Sequence, residues 1–242
     1  NGDGRPDYVA GNLGLNTTYR APAVLFHGQF GSGPPQLIEA SYHGGQLYPR
    51  RTLKSLSAVI PALRRRYPKN NDFAKATLTE MLDADRLAKA KRYEATELRS
   101  GVFLSQPNGT YRFEPLPRIA QISILQGLAV GDFDGDGHTD LYAVQNSYAP
   151  IPSIGRFDGG LSQLLLGDGR GGFRPAAPLE SGLVVPGDAK ALVVLDLDDD
   201  GWPDFLVSRN DSTTLAWRNR GVSGRRSFRV LLQGPPGNPT AV

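Results

Sequence analysis

Cysteine is absent from the 242-residue chain, which excludes disulfides, thiolate zinc sites and cysteine nucleophiles. No apolar run approaches the roughly 18 residues that a membrane-spanning helix needs. The three histidines lie far apart in sequence, and there is no H-E-x-x-H zinc motif, G-x-S-x-G elbow or phosphate-binding loop. Several enzyme classes are thereby disfavoured, and the length suits one large domain or two small ones.

Glycine and proline are abundant, with 29 and 19 residues respectively, which predicts many turns and therefore many short strands. The net charge of +3 hides an asymmetry. Residues 50–99 hold 13 basic and 6 acidic side chains, whereas the rest of the chain holds 14 basic and 18 acidic ones. The acidic residues of the rest are grouped in short clusters, and these clusters carry the clearest functional signal.

Two nine-residue segments share the pattern D-x-D-x-D-G-x-x-D: D-F-D-G-D-G-H-T-D at 132–140 and D-L-D-D-D-G-W-P-D at 196–204. Residues 1–7, N-G-D-G-R-P-D, fit the same pattern from its third position onward. Alternate carboxylates, a turn-forming glycine and a fourth carboxylate can surround one hard cation. Calcium takes six to eight oxygen ligands at roughly 2.3–2.6 Å, whereas magnesium demands strict octahedral geometry and fewer protein ligands. The pattern therefore predicts calcium.

The predicted ligands are the side chains at positions 1, 3, 5 and 9 of each loop and the backbone carbonyl at position 7. They are Asp132, Asp134, Asp136, His138 and Asp140; Asp196, Asp198, Asp200, Trp202 and Asp204; and, in the incomplete loop, Asn1, Asp3, Arg5 and Asp7. Asp199 occupies an intervening position and is expected to point outward. The alternative is a solvated acidic turn that binds no ion, which an isolated D-x-D-G would favour more than this repeat does.

An EF-hand begins with the same spacing, but it needs a bidentate glutamate at position 12 and flanking helices. Position 12 is Ala10, Ala143 and Val207 in the three copies. Apolar runs of strand type flank the complete loops, at 128–130 and 141–144 and again at 191–195 and 205–207. We therefore predict strand–loop–strand calcium sites.

A second element recurs at 102–113, 164–173 and 215–228, where an apolar strand, a Gly/Asn turn and an aromatic residue predict a hairpin. The G-x-G-x-x-G at 167–172 is followed by no helical pattern, so we interpret it as a turn and not as a dinucleotide site. Asp140 and Asp204 are 64 residues apart. A unit of about four strands suits a β-propeller blade better than a parallel β-helix, whose repeats are shorter.

A degenerate copy of the loop lies at 27–38 and aligns with 131–142 when one residue is deleted. Gln29 and Gln36 then replace the first and last carboxylates, and Gly31 and Gly33 replace the middle ones. We expect this copy not to bind calcium.

At these residues the chain resembles the bacterial FG-GAP/VCBS-repeat propellers, which are related in blade pattern to the integrin α-subunit propeller. The resemblance rests on D-F-D-G-D-G-H-T-D-L-Y, D-L-D-D-D-G-W-P-D-F-L and the L-x-x-G-x-G-G-F hairpins, and covers most of the chain. Residues 228–238 resemble the start of an ASPIC/UnbV-type segment. The resemblance implies calcium-binding blades, an extracytoplasmic setting and usually a role in binding or adhesion.

Residues 50–99 interrupt the β pattern and predict a small helical insertion. Leu53, Leu56, Ile60 and Leu63 recur at helical spacing, and Pro61 is expected to kink or end that helix. Asn71-Asp72 predicts the N-cap of a second helix, and Asp83 or Asp85 that of a third. The predicted organisation is blade portions with truncated and degenerate loops at 1–49, a basic helical insertion at 50–99, blades with two complete calcium loops at 100–227, and the start of a following β segment at 228–242.

Two sets of residues allow a second interpretation. The basic side chains of the insertion suit either a patch for an anionic partner or the solvated face of amphipathic helices; they are Arg50, Arg51, Arg64, Arg65, Arg66, Lys89, Lys91 and Arg92. Trp202 and Trp217 suit either stacking on a sugar or packing between blades.

The fold class expected from the sequence is mainly β, with propeller blades, Asp-rich calcium loops and a helical insertion. The expected function is a non-enzymatic, calcium-binding scaffold for a protein or polysaccharide ligand, secreted, periplasmic or at a bacterial cell surface. Neither nucleic-acid binding nor a transmembrane segment is expected. Two alternatives stay open: a polysaccharide lyase or hydrolase on a propeller scaffold, and a structural module of a large surface assembly. The start at Asn1 without Met and the end in G-P-P-G-N-P are interpreted as those of an internal piece of a larger protein.

Overall fold

The computed structural model describes residues 1–148, 150 and 154–224, and these fold mainly into antiparallel β-sheets. They divide into two compact units. The first unit takes the described residues of Asn1–Asn16, Arg99–Pro150 and Gly155–Val242, and the second takes those of Thr17–Leu98 and Ile151–Ile154. The segment predicted at 228–242 and the return strand predicted from Phe228 lie outside the described residues.

Fourteen strands are found in the described part of the chain. They are β1 (Tyr8–Ala10), β2 (Ala23–Gly28), β3 (Gln36–His43), β4 (Gln46–Pro49), β5 (Lys91–Ala95), β6 (Gly101–Ser105), β7 (Tyr111–Pro115), β8 (Leu125–Gly131), β9 (Asp140–Gln145), β10 (Gln163–Gly167), β11 (Phe173–Pro175), β12 (Ala189–Leu195), β13 (Asp204–Arg209) and β14 (Leu215–Trp217). The helices there are α1 (Leu53–Val59), α2 (Ala62–Arg66), α3 (Asn70–Lys75), α4 (Leu78–Met81), α5 (Ala84–Lys89) and α6 (Pro178–Ser181), with a 3-10 turn at Arg118–Gln121. Among these described helices, none has the length and apolar character to cross a bilayer.

Three antiparallel sheets build the first unit. Sheet I has the order β1-β6-β7, sheet II β8-β9-β10-β11 and sheet III β12-β13-β14. The two complete Asp loops connect the first two strands of sheets II and III, where Gly131 pairs with Asp140 and Leu195 pairs with Asp204. Strands therefore flank both loops, as the apolar runs predicted. The hairpins predicted at 102–113 and 164–173 are β6–β7 and β10–β11.

Sheet II is covered on both faces. Every residue of β9 is buried, and successive side chains of a strand point to opposite faces. On one face, Tyr142 belongs to an apolar cluster with Phe205 of sheet III. On the other face, Leu141 belongs to a cluster with Val102 of sheet I. The three sheets thus stack in chain order, with sheet II in the middle.

The second unit combines a four-stranded sheet with five short helices. Sheet IV has the order β4-β3-β2-β5, and its residues Val24, Phe26 and Ile38 share one buried cluster with side chains of the helices. The helix-spaced residues Leu53, Leu56, Ile60 and Leu63 all belong to that cluster. Pro61 separates α1 from α2, so the predicted break occurs there.

The caps of these helices agree with the sequence in part. Asp83, one of the two residues considered for the third helix, caps α5 by accepting a hydrogen bond from the Arg86 N–H at 3.0 Å. The second helix begins earlier than predicted, because Asn70–Lys75 is helical and its N-cap is Lys69. A separate helix, α4, comes next, and a capping box of Thr77 and Glu80 caps its N-terminus.

The division into units differs from the boundaries drawn on the sequence at 49/50 and 99/100. β2, β3 and β4 share their core with the helices, so the second unit begins at Thr17 and ends at Leu98. It is inserted between β1 and β6, which are neighbours in sheet I. Periodicity indicated that the region contains helices, but strands and helices that share one core cannot be recognised from local patterns.

Candidate metal centre

Each complete loop is closed by its first aspartate. The Asp132 carboxylate accepts hydrogen bonds from the backbone N–H groups of Asp136 at 3.0 Å and Gly137 at 2.9 Å. Asp196 accepts the equivalent bonds from Asp200 at 3.1 Å and Gly201 at 3.0 Å. One turn geometry is therefore built twice from two different sequences.

The glycine at position 6 supports this turn, because its backbone lies in the left-handed region in both loops: φ is +88° at Gly137 and +82° at Gly201. Asp199, at position 4 of its loop, also has a positive φ of +60° and is exposed, as are Asp198 and Asp200, so its outward direction stays a prediction.

The residues at position 7 behave alike in all three copies. The backbone N–H of His138 donates to Asp136 Oδ1 at 2.8 Å, that of Trp202 to Asp200 Oδ1 at 2.9 Å, and that of Arg5 to Asp3 Oδ1 at 3.0 Å. Each position-5 carboxylate is thus fixed by the backbone two residues later. That the carbonyls at position 7 bind a cation stays a prediction.

The last aspartate of each loop joins the loop to a third strand. Asp140 is 1% exposed and accepts hydrogen bonds from Phe133 N at 2.9 Å and Gly167 N at 2.8 Å, at the end of β10. Asp204, which is 0% exposed, accepts bonds from Leu197 N and Asn219 N, both at 2.7 Å. These carboxylates hold the loops on the sheets.

Asp7 takes the same place in the incomplete loop, where its Oδ1 accepts a hydrogen bond from Ser105 N at 2.8 Å. Asn1 accepts a bond from Asp3 N at 3.2 Å. The incomplete loop is therefore folded like the other two.

The structure brings together three carboxylates in each complete loop. Ligand oxygens of Asp132, Asp134 and Asp136 lie within 4.8 Å of one another, and so do those of Asp196, Asp198 and Asp204. Asp140 and Asp200, the remaining predicted side-chain ligands, are not in these groups. Neither are the residues of the incomplete loop, in which only Asp3 and Asp7 are acidic.

The electrostatics of the first complete loop favour a bound cation. Burial raises the pKa of the Asp140 carboxyl; hydrogen bonds from Gly167 and Phe133 oppose the rise, and the charges of Asp134 and Asp136 add to it. Crowded, partly buried carboxylates repel one another when ionised, and a divalent ion removes that repulsion. The donor set consists of hard oxygen atoms, which fit calcium.

An arginine lies beside the second loop. Arg218 Nε lies 2.9 Å from Asp198 Oδ2, although the Arg218 side chain is largely exposed. An exposed pair of this kind contributes little stability. It offsets part of the charge of the Asp196, Asp198 and Asp204 group.

The degenerate loop carries the neutral side chains of Gln29 and Gln36 where the complete loops carry their first and last carboxylates. It connects β2 and β3, and Gly28 pairs with Gln36 as Gly131 pairs with Asp140. Gln29 Nε2 donates to the carbonyl groups of Gly31 at 2.6 Å and Gly33 at 2.9 Å. The donors of a neutral amide thus satisfy carbonyl oxygens of the turn.

Gln36 completes this neutral arrangement. Its Oε1 accepts hydrogen bonds from Phe30 N at 2.8 Å and Gly31 N at 2.9 Å, and its amide donates to the Pro34 carbonyl. The loop has its own donors and acceptors and carries no carboxylate, so it needs no cation.

Rings at position 7 of the complete loops pack on glycines of the next hairpin turn. A Cβ on Gly169 would lie 2.5 Å from His138 Nδ1, and a Cβ on Gly221 would lie 2.5 Å from Trp202 Nε1. Trp217 is half-buried against the cluster between sheets II and III. The contacts of Trp217 therefore favour packing between sheets over sugar stacking, whereas Trp202 contacts a turn of its own sheet and both interpretations stay open for it.

Several basic residues of the predicted insertion are engaged within the second unit. Arg51 lies 3.0 Å from Glu39, Arg92 donates to the Tyr42 hydroxyl at 3.0 Å, and Arg50 stacks 3.9 Å from the centroid of the Tyr19 ring. The run 64–66 is exposed on α2. Both interpretations of the basic residues stay open for that run.

Sequence patterns identified the loops but missed the residues that attach them to the sheets. Gly167 and Asn219 hold the last aspartates through their backbone N–H groups, and these two have different side chains. The signal that could have found them is their place in the turn that follows the third strand: Gly167 is the last residue of β10, and Asn219 lies two residues after β14.

Comparison of the chain with models of known protein families and with curated protein sequences gave no match. The resemblance to FG-GAP/VCBS repeats stays a prediction from the motifs.

Proposed function

We propose that this protein is a calcium-binding β-propeller portion that acts as a binding or adhesion scaffold outside the cytoplasm. The observation that carries the proposal is the repetition of one anionic turn at equivalent places in two stacked sheets, together with a neutral version of the turn in the same chain.

The stacking of sheets I, II and III supports the propeller part of the proposal. Each of these sheets is small and antiparallel, they follow one another in chain order, and sheet II packs face to face on both neighbours. Blades of three or four strands arranged in this way are the repeating unit of a propeller.

The choice of calcium follows from the donors. Three carboxylates meet within 4.8 Å, and backbone carbonyls and water complete the coordination of an ion that accepts six to eight oxygens in flexible geometry. Calcium is favoured over magnesium, because magnesium prefers a strict octahedron with fewer protein ligands. Binding of the ion would stabilise the fold, since the unfolded chain does not hold the carboxylates together.

A scaffold role and an extracytoplasmic setting complete the proposal. The complete loops use their carboxylates to hold backbone N–H groups, which leaves them poorly suited to general acid and base catalysis. Loops of moderate affinity remain occupied where calcium is at millimolar concentration, as it is outside cells. We place the ligand, a protein or a polysaccharide, on the surface of this scaffold.

Thermal unfolding of the complete chain tests the calcium proposal. A hundredfold excess of calcium over the dissociation constant adds about 2.7 kcal/mol per site, so two sites raise the melting temperature by about 10 °C or more relative to EDTA. Magnesium at the same concentration is the control and should give a much smaller shift. Identical curves in calcium and in EDTA would contradict the proposal.

A further inference from the structure

Asn219 contacts both complete loops. Its backbone N–H donates to Asp204 Oδ1 at 2.7 Å, which fixes the last carboxylate of the loop at 196–204. Its side-chain Nδ2 donates to the carbonyl of Phe133 at 3.1 Å, and Phe133 is the second residue of the loop at 132–140. Asn219, two residues after the end of β14, therefore joins the loops of sheets II and III.

Phe133 extends this link into its own loop. Its carbonyl belongs to the peptide that precedes Asp134, and its N–H donates to Asp140 at 2.9 Å. Its ring lies 4.9 Å from the ring of Phe205, the residue after Asp204. Phe133 is 6% exposed and Phe205 5%. A polar connection and a buried aromatic contact thus run in parallel between the two loops.

The boundary between sheets I and II has no equivalent side chain. Gly167 occupies the place of Asn219, since its N–H donates to Asp140 as that of Asn219 donates to Asp204. A Cβ at Gly167 would lie 2.1 Å from the Thr139 carbonyl oxygen, so no side chain fits there. The comparison makes Asn219 a feature of one sheet boundary and not of the repeat.

We propose that Asn219 is a positioning residue shared by two calcium sites, and that it makes calcium binding at 132–140 and 196–204 cooperative. This inference rests on the proposed calcium binding. An ion in one loop orders the carboxylates there and with them the Asn219 side chain and the Phe133 peptide. The second loop is then partly ordered before its own ion binds, so binding of that ion costs less conformational entropy and is tighter. This is positive coupling between the two sites.

The experiment follows each loop separately in the complete chain. Calcium is titrated while the amide resonances of Gly137 and Gly201 are recorded by NMR, because each N–H donates to the first aspartate of its own loop. Asp198→Asn disables the second loop without removing Asp204. We expect it to raise the dissociation constant of the loop at 132–140 about fivefold or more, within the usual range of allosteric coupling. Asp134→Asn should raise that of the other loop by the same factor, because coupling is reciprocal.

Asn219→Ser tests the residue itself. Serine retains an oxygen near Gly221, whose N–H donates to Asn219 Oδ1 at 2.9 Å, but it is too short to reach the Phe133 carbonyl. In the Asn219→Ser background, Asp198→Asn should leave the affinity of the loop at 132–140 unchanged. The comparison of the unsubstituted chain with Asp198→Asn needs no variant at Asn219, so the cooperativity is measured even if Asn219→Ser fails to fold.

The outcomes separate this inference from the proposed function. If neither glycine resonance responds to calcium, the proposed function is wrong and the inference falls with it. If both respond but Asp198→Asn does not affect the first loop, calcium binding stands and the cooperativity is refuted. If the coupling survives Asn219→Ser, the cooperativity is real and its assignment to Asn219 is overturned.

Discussion

One type of turn between paired strands is built in two ways in this chain. It is anionic at 132–140 and 196–204 and neutral at 29–36. In each, the last side chain accepts a hydrogen bond from the second residue of the turn: Asp140 from Phe133, Asp204 from Leu197, and Gln36 from Phe30. The neutral loop adds amide donors from Gln29, whereas the anionic loops gather three carboxylates. The comparison shows that the turn can be built without carboxylates, and we propose that the excess of negative oxygen atoms in the anionic loops is what calls for a cation.

The largest effect is expected from removing the last side chain of a loop. Asp204→Ala leaves the N–H groups of Leu197 and Asn219 without their acceptor, and an unsatisfied buried donor costs about 1–3 kcal/mol. We expect the free energy of unfolding, measured with denaturant in EDTA, to fall by about 3 kcal/mol or more.

Gln36→Ala is the matched change in the neutral loop and should cost a similar amount for the same reason. The two variants should differ in how strongly calcium stabilises them: Asp204→Ala should reduce the stabilisation by calcium, and Gln36→Ala should not. A fully stable Asp204→Ala protein in EDTA would show that the carboxylate does not hold the loop.

A change at a ligand that makes few bonds to the loop should act only when calcium is present. Asp198→Asn retains the size of the side chain and removes its charge, so unfolding in EDTA should be almost unchanged. At a hundredfold excess of calcium the variant should lose the contribution of one site, about 2.7 kcal/mol. Gln29→Ala is the control, since its destabilisation should be equal in calcium and in EDTA. An Asp198→Asn protein that is stabilised by calcium as fully as the unsubstituted chain would contradict the ligand assignment.

The smallest change in the free energy of unfolding is expected when alanine replaces glycines that share a left-handed backbone conformation. Gly137 in an anionic loop and Gly33 in the neutral loop have φ values of +88° and +98°, and a Cβ at either position meets no atom within 4 Å. Alanine at each should therefore cost only the backbone strain of the left-handed region, about 1 kcal/mol. Chemical denaturation in EDTA measures both costs, and a difference of several kcal/mol between them would show that the turns are not equivalent.

Local patterns in the sequence predicted the parts of the fold that depend on neighbouring residues. The strands around Asp132–Asp140, the hairpin that includes Gly167 and the break at Pro61 all follow from short-range periodicity and turn chemistry. Those patterns did not show that the helices and β2–β4 share one core, because that sharing depends on the tertiary fold.

The candidate site shows the same limit. The spacing of the aspartates predicted which residues share a turn, since each turn is nine residues long. It could not separate the buried role of Asp204 from the roles of Asp196 and Asp198, because the partner Asn219 is 15 residues away. The link from Asn219 to Phe133 spans 86 residues and depends on the stacking of two sheets, which no local pattern encodes.

The central claim is that charge, and not turn geometry, decides which loops bind calcium. Anomalous diffraction from crystals of the complete chain grown in calcium tests it most directly. We expect anomalous peaks inside the turns at 132–140 and 196–204, with oxygen ligands at about 2.3–2.6 Å, and none inside the turn at 29–36. Empty anionic turns, or a calcium ion held between Gln29 and Gln36, would contradict it.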